Sequence, residues 1–136
     1  MNKKVAIVAG SKSDIEYVTI VEKYLKELNI NFKTFYISAH RNPEEVRKFS
    51  QEAKQKGFSI IIALAGYAAH LAGVIASWTS LPVIAVPLPA SDLLGLDSLF
   101  SMVQMPGGVP VAVMTIGKAG AKNAAYFAKR IFNSFD

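Results

Sequence analysis

Ser59-Ile60-Ile61-Ile62-Ala63-Leu64-Ala65-Gly66-Tyr67-Ala68-Ala69-His70-Leu71-Ala72-Gly73-Val74-Ile75-Ala76-Ser77-Trp78 is a run of twenty residues without a formal charge, and its reading decides the fold. Length alone would let such a run cross a bilayer as a helix. Its internal order argues otherwise. It opens on three β-branched isoleucines, Gly66, His70 and Gly73 interrupt it, and no Lys or Arg follows before Lys118. The run reads as a buried strand, a glycine turn and a short apolar helix around Ala68–Ser77. A membrane partner is not expected.

The surroundings point the same way. Residues 1–56 hold eleven Lys/Arg and seven Asp/Glu, and residues 118–136 hold four and one. Between them, residues 57–117 hold only Asp92 and Asp97. A stretch so poor in charge belongs inside the domain or between subunits. With 136 residues, 51% hydrophobic and 18% charged, the chain has enough apolar material for one domain spanning 1–136 and too much for a disordered segment. It has no cysteine, which excludes disulfides, zinc–thiolate sites, iron–sulfur clusters and thiol catalysis. His40 and His70, the only histidines, could not alone complete a tetrahedral metal site, so no metal is expected. The net charge of +5 suits an anionic ligand, without a pattern that calls for nucleic acid. Met1-Asn2-Lys3-Lys4 precedes only five apolar residues, too few for a secretory signal, and the expected location is the cytoplasm.

Outward from the central run, strands and helices alternate. Val5–Ala9 reads as a doubly covered strand. Ile15, Val18, Val21, Leu25 and Leu28 follow at helical spacing. Phe32–Ile37 is a second strand. Asn42-Pro43-Glu44-Glu45 starts a helix with a capping side chain, proline in its first turn and acids at its positive end, and Gly57 ends it. Ile60–Leu64, Val83–Val86 and Val111–Thr115 supply three more strands. Short helical stretches near Asp97–Val103 and over Gly120–Asn133 complete the order. Such alternation implies an α/β, flavodoxin-like three-layer αβα sandwich with a five-stranded parallel sheet. Ligands of that architecture sit at the carboxyl ends of the strands. Five segments then converge: Gly10–Asp14, Ser38–Arg41, Gly66–His70, Pro87–Ser91 and Thr115–Gly120.

Gly10-Ser11-Lys12-Ser13-Asp14 offers backbone N–H groups, a helix start and two hydroxyls, a combination attractive to phosphate. Its glycine spacing matches neither a P-loop nor a dinucleotide fingerprint. Capping of the first helix by Ser13 or Asp14 explains it about as well. A carboxylate at position 14 beside a phosphate could also accept from two vicinal ribose hydroxyls. Strand 1 lacks the paired carboxylates of a magnesium-binding receiver domain. In Ser38-Ala39-His40-Arg41, the guanidinium suits phosphate and the imidazole moves protons near neutrality; a surface His–Arg pair is the plain alternative. Gly66-Tyr67-Ala68-Ala69-His70 lets backbone approach a ligand, although a lone histidine there is more often a hydrogen-bonded core residue. Lys118 and Lys122 read as a solvated helix face.

These segments occur together with Asp97-Ser98-Leu99-Phe100-Ser101, Val103-Gln104-Met105-Pro106, Gly108-Val109-Pro110-Val111 and Ile116-Gly117-Lys118-Ala119-Gly120, in one order and spacing. Over nearly its whole length the chain resembles the carboxyaminoimidazole ribonucleotide mutases of purine biosynthesis, the PurE family. The resemblance implies a cofactor-free isomerase that moves a carboxylate from the exocyclic nitrogen of the aminoimidazole ribonucleotide to ring carbon C4. It implies a homo-oligomer, usually an octamer with sites at subunit junctions, and a substrate handed over by an ATP-dependent synthetase. By position, Ser11, Ser38 and Arg41 would hold the 5′-phosphate with Ser13 nearby, and Asp14 the ribose. His40 would be the general acid/base, and Ala65, Gly66, Ala68 and His70 would line the carboxylate pocket.

The chain departs from the family pattern where mutases usually carry glycine at Leu64 and Tyr67 and proline at Ala72. A tyrosine at 67 would fill the pocket or point outward into another subunit. The related carboxylases, which use free CO2, typically carry lysine at Arg41 and lack the Ala-Ala-His pattern, so Arg41 and His70 favour the mutase. The remaining alternatives are a carboxylase and a non-catalytic nucleotide- or flavin-binding module.

Overall fold

The computed structural model describes residues 3–136. Strands β1 (Lys4–Ala9), β2 (Asn31–Tyr36), β3 (Ile60–Ala65), β4 (Val83–Pro87) and β5 (Ala112–Val113) form one parallel sheet in the order β2-β1-β3-β4-β5. Helices α1 (Ile15–Glu27), α2 (Pro43–Glu52), α3 (Leu71–Trp78), α4 (Leu96–Val103) and α5 (Lys118–Asn133) cover its faces. The flavodoxin-like α/β expectation holds.

Alternation along the strands divides the core in two. Val5, Ile7 and Ala9 share one face with Ile60, Ile62, Leu64, Ile84 and Val86, packed on Val18, Val21 and Leu25 of α1 and Ala124, Ala128 and Phe132 of α5. The opposite residues, Ala6, Val8, Ile61, Ala63, Val83 and Ala85, meet Val46 and Phe49 of α2, Leu71, Ala72 and Ile75 of α3, and Met102 of α4. All six residues of β3 are buried, as a central parallel strand demands. The twenty-residue uncharged run is thus β3, a turn and α3. Among the described residues, no helix is long and apolar enough to cross a membrane.

Register positions the site. Ala9 pairs with Tyr36 on one side and Leu64 on the other, so β1 and β2 end level and β3 runs one residue further, to Ala65. Their next residues, Gly10, Ile37 and Gly66, leave the sheet along one edge.

Several local expectations need correction. Ile15 is 58% exposed and does not join the α1 stripe, which begins at Val18. Asn42 makes no side-chain cap, while Pro43 and the acids Glu44 and Glu45 occupy the first turn of α2 as expected. Beyond Glu52 the chain runs one looser turn. There Gly57, at φ 93°, donates to Lys54 and Phe58 donates to Ala53, the paired bonds that close a helix on a left-handed glycine. Helix α3 starts at Leu71 instead of Ala68: after Tyr67 at φ 56°, Ala68–His70 form a tight turn in which the His70 N–H donates to the Ala68 carbonyl at 2.9 Å. Strand β5 is two residues long, not five: only Ala112 and Val113 pair with β4, opposite Ile84 and Ala85. Helix α5 begins two residues early, at Lys118.

Candidate active site

The loops after β1, β2 and β3, with Ala90 from the loop after β4, enclose a cavity of about 390 Å³ at the carboxyl edge of the sheet. It lies where the chain order reverses around β1, the crevice that open α/β sheets use for ligands. Its volume falls in the range of small-molecule sites. Ser11, Ser13, Asp14, Ser38, His40, Arg41, Ala65, Gly66, Ala68 and His70 all line it.

The first corner is a tight helical turn over Lys12–Asp14 that leads into α1. Ser11 Oγ accepts from the Ser13 backbone N–H at 3.2 Å and shares a hydrogen bond with Ser13 Oγ at 2.8 Å. The cap of this turn is therefore Ser11. Neither sequence candidate does the job, since Ser13 is the donor to Ser11 and the Asp14 side chain makes no cap bond to α1. Asp14 is instead buried at the cavity wall. Loss of water raises its pKa above the ordinary value of 3.8, an effect the hydrogen bond from the Ser11 backbone partly offsets. Tyr36, at the end of β2, is likewise raised by burial, then by the charges of Glu22 and Asp14, and stays a protonated phenol.

The second corner follows β2. Ser38 Oγ accepts from the Arg41 backbone N–H at 3.2 Å, and Asn42 N–H donates to the Ser38 carbonyl at 2.8 Å. This turn leaves the Arg41 guanidinium exposed at the cavity wall. Four hydroxyl or guanidinium groups, from Ser11, Ser13, Ser38 and Arg41, thus line the cavity where an anion could be held.

At the other end the wall is nearly bare of side chains. Gly66 is held against the loop after β4, where an added Cβ would stand 2.7 Å from Ala90 Cβ. Ala65, Ala68 and Ala69 continue this surface. His40 reaches across from the second corner and meets His70, with Nε2 2.9 Å from Nδ1 and the rings edge to face at 82°. A hydrogen bond between two imidazoles fixes which nitrogen of each is free, and it holds His40 over the small-residue wall. His70 is therefore a cavity residue and not the core histidine its apolar surroundings allowed.

Two of the five expected segments contribute little. Only Ala90 of Pro87–Ser91 lines the cavity, and no residue of Thr115–Gly120 does. Lys118 pairs with Glu16 at 3.1 Å, and Lys122 lies over the rings of Tyr24 and Tyr126. Gly10, Ala39, Ala69 and Ala90, which lie in the expected segments but had no role assigned, join the lining, as does Leu71 from outside them. For the glycine and the alanines the signal in the sequence was smallness next to a chemically active neighbour, which many core positions share; Leu71 carried none. Of the departures from the family pattern, Leu64 and Ala72 are fully buried in the core, on opposite faces of the sheet, and neither lines the cavity. Tyr67 stands at the cavity rim, 62% exposed, so it does not fill the space.

Comparison with known proteins gives this geometry a setting. Residues 4–136 match the family model described as AIR carboxylase. The chain is 54% identical over 128 residues to an N5-carboxyaminoimidazole ribonucleotide mutase of Saccharolobus solfataricus, covering 94% of this chain and 80% of the relative. It is 48% identical over 136 residues to the mutase of that name from Bacillus subtilis, covering 100% and 84%. The crystal structure of Treponema denticola PurE superposes with a TM-score of 0.87 at 30% identity, covering 98% of this chain and 82% of that one. A full-length family match, close relatives and a shared fold agree: this chain belongs to the AIR carboxylase family, the family of PurE.

Proposed function

We propose that this chain converts N5-carboxyaminoimidazole ribonucleotide to 4-carboxy-5-aminoimidazole ribonucleotide in purine biosynthesis. The observation that carries this reading is the meeting, in one cavity, of the Ser11–Asp14 and Ser38–Arg41 corners with the hydrogen-bonded pair His40 and His70. Relatives at 54% and 48% identity bear the mutase name.

In this reaction the carbamate N–C bond breaks, its electron pair stays on nitrogen, nitrogen takes a proton and CO2 is released. Ring carbon C4, made electron-rich by the amino group, then attacks CO2. The new C–C bond leaves C4 carrying one hydrogen too many, and a base removes it. One proton is supplied and one recovered, so a single imidazole completes the cycle and no other reactant is consumed. His40 takes that role, with His70 orienting it and, together with Ala65, Gly66 and Ala68, bounding the space for CO2. Ser11, Ser38 and Arg41 bind the 5′-phosphate, Ser13 assists, and Asp14 accepts from the ribose hydroxyls. Phosphate binding at a distance then fixes the heterocycle against His40.

The active form is a homo-oligomer, an octamer, working in the cytoplasm on substrate from an ATP-dependent synthetase. Leu93, Leu94, Leu96, Phe100 and Val103 support assembly: each is half or more exposed, in a stretch without Lys or Arg. A second copy of this apolar surface, which carries no Lys or Arg, is a fitting cover.

The deciding experiment supplies purified protein with N5-carboxyaminoimidazole ribonucleotide and follows the absorbance of the C4-carboxylated product. A rate well above spontaneous decay is expected without added bicarbonate. Turnover only with added CO2 would make the chain a carboxylase. Nucleotide or flavin binding without turnover would make it a binding module.

A further inference from the structure

Most glycines of this chain have a reason within the protein. An added Cβ would stand 2.7 Å from Ala90 at Gly66 and 2.6 Å from Ile116 at Gly95, and would overlap the Thr115 carbonyl at Gly120. Gly57, Gly108 and Gly117 hold φ between 85° and 93°, where other residues are strained. Gly10 has neither reason. Its φ lies outside that region, and an added Cβ would meet no heavy atom within 4 Å beyond its own chain neighbours. Yet Gly10 lines the cavity. The volume that a side chain would take there is cavity volume.

The position of Gly10 is fixed from both sides. Its N–H donates to the Leu64 carbonyl at 3.3 Å, and the Ile37 N–H donates to the Ala9 carbonyl at 2.9 Å, so the end of β1 is tied to β3 and to the exit of β2. Strand β1 stands between those two in the sheet. The hydroxyls and guanidinium of Ser11, Ser13, Ser38 and Arg41 come from the loops after β1 and β2, and the small-residue wall of Ala65, Gly66 and Ala68 comes from the end of β3 and the loop after it. On the site reading proposed above, on which this inference rests, the phosphate is held by the first group and the reacting ring by the second. The nucleotide must then cross the end of β1. We infer that it lies directly on the Gly10 backbone between phosphate and ring, and that the missing side chain sets how deep the heterocycle sits against the small-residue wall. A Cβ extends about 1.5 Å from its Cα and would lift the nucleotide by a comparable distance. A misplacement of about 1 Å at a reacting centre can cost about a hundredfold in rate.

The test is Gly10→Ala in the full chain, measured for melting temperature, oligomer mass and turnover of N5-carboxyaminoimidazole ribonucleotide. The variant should melt at or above wild type, because the methyl group meets open space and alanine has less backbone freedom to lose on folding. Its oligomer mass should match wild type. Turnover should suffer, with kcat/KM lower by about a hundredfold. The dependence of KM on ionic strength should stay that of wild type, since Arg41 still holds the phosphate. A lower melting temperature or a smaller oligomer overturns the inference, because the glycine then serves the fold or a contact between copies. An altered salt dependence also overturns it and assigns the effect to the phosphate corner. Unchanged kcat/KM overturns it as well, with the mutase reading left standing. Absence of turnover in wild type removes the mutase reading instead. Calorimetric titration of the 4-carboxy nucleotide then decides the contact alone: weaker binding in Gly10→Ala upholds it, and equal binding, or none in either protein, refutes it.

Discussion

At one end of the cleft, Ser11, Ser13, Asp14, Ser38 and Arg41 come from the loops after β1 and β2; at the other, Ala65, Gly66, Ala68 and Ala69 come from the loop after β3. The first end is organised by its own hydrogen bonds. Ser11 ties Ser13, and Ser38 ties the Arg41 backbone, so the donors are set before any ligand arrives. The second end is organised by closeness, with Gly66 pressed to Ala90 and nothing larger than a methyl group along three of its residues. Only His40 joins them: it leaves the polar loop and ends on His70 in the small-residue loop. The difference separates two tasks, holding the nucleotide and giving its carboxyl group somewhere to go. Substitutions at the two ends should accordingly fail in different ways.

The largest effect belongs to the bridge. His40→Asn removes the proton carrier and keeps a side chain of similar polarity. Turnover should fall roughly a thousandfold, the usual worth of a placed acid–base group, with nucleotide affinity nearly unchanged. Stopped assays paired with calorimetric titration of the product nucleotide check both halves. A variant that keeps its kcat would take His40 out of the chemistry.

Arg41→Ala should produce the opposite signature. Loss of one charge-assisted contact to phosphate should raise KM by about 10–100-fold, with a smaller change in kcat. Steady-state kinetics at several ionic strengths give the comparison, since a phosphate contact should also lose its salt dependence. If kcat falls as far as in His40→Asn, the two ends do not act separately.

These two ends were unequally legible in the sequence. Hydroxyls, a guanidinium, a carboxylate and an imidazole announce chemistry wherever they stand, and β1, β2 and β3 read clearly enough to bring their loops to one edge. The small-residue end gave less away. Ala69 and Ala90 have no functional group, and their part in the wall follows from the β3–β4 register and from the Gly66–Ala90 contact, neither of which is written in local pattern. The misreadings have similar causes. Ile15 fits the helical stripe but stands at the N-terminal edge of α1, where the sheet no longer covers it. Thr115–Gly120 follows a strand, but β5 is at the far edge of the sheet from β1 and β2, so a loop at the correct end still misses the cavity. Topology, more than residue type, decides which loops meet.

The smallest effect is the most diagnostic of how the polar end is built. Asp14 is buried, and burial raises its pKa above 3.8. Between an aspartate's ordinary value and its raised value, the folded chain binds more protons than the unfolded one. Stability from this group therefore falls as pH rises through that window, and stays lower above it. Asp14→Asn removes the titration while keeping the shape. Its melting temperature should exceed that of wild type by a few degrees at pH 7, and the gap should close as the pH falls below about 4, where an aspartate is protonated in both states. Nucleotide affinity should move the other way, weakening by about tenfold or less as a neutral oxygen replaces a charged acceptor for the ribose hydroxyls. Thermal melts across pH, with and without nucleotide, read both effects in one series. A variant less stable than wild type at pH 7 would mean that the Ser11 backbone bond outweighs the cost of burying the charge, and that the carboxylate holds its loop together instead of waiting for a ligand.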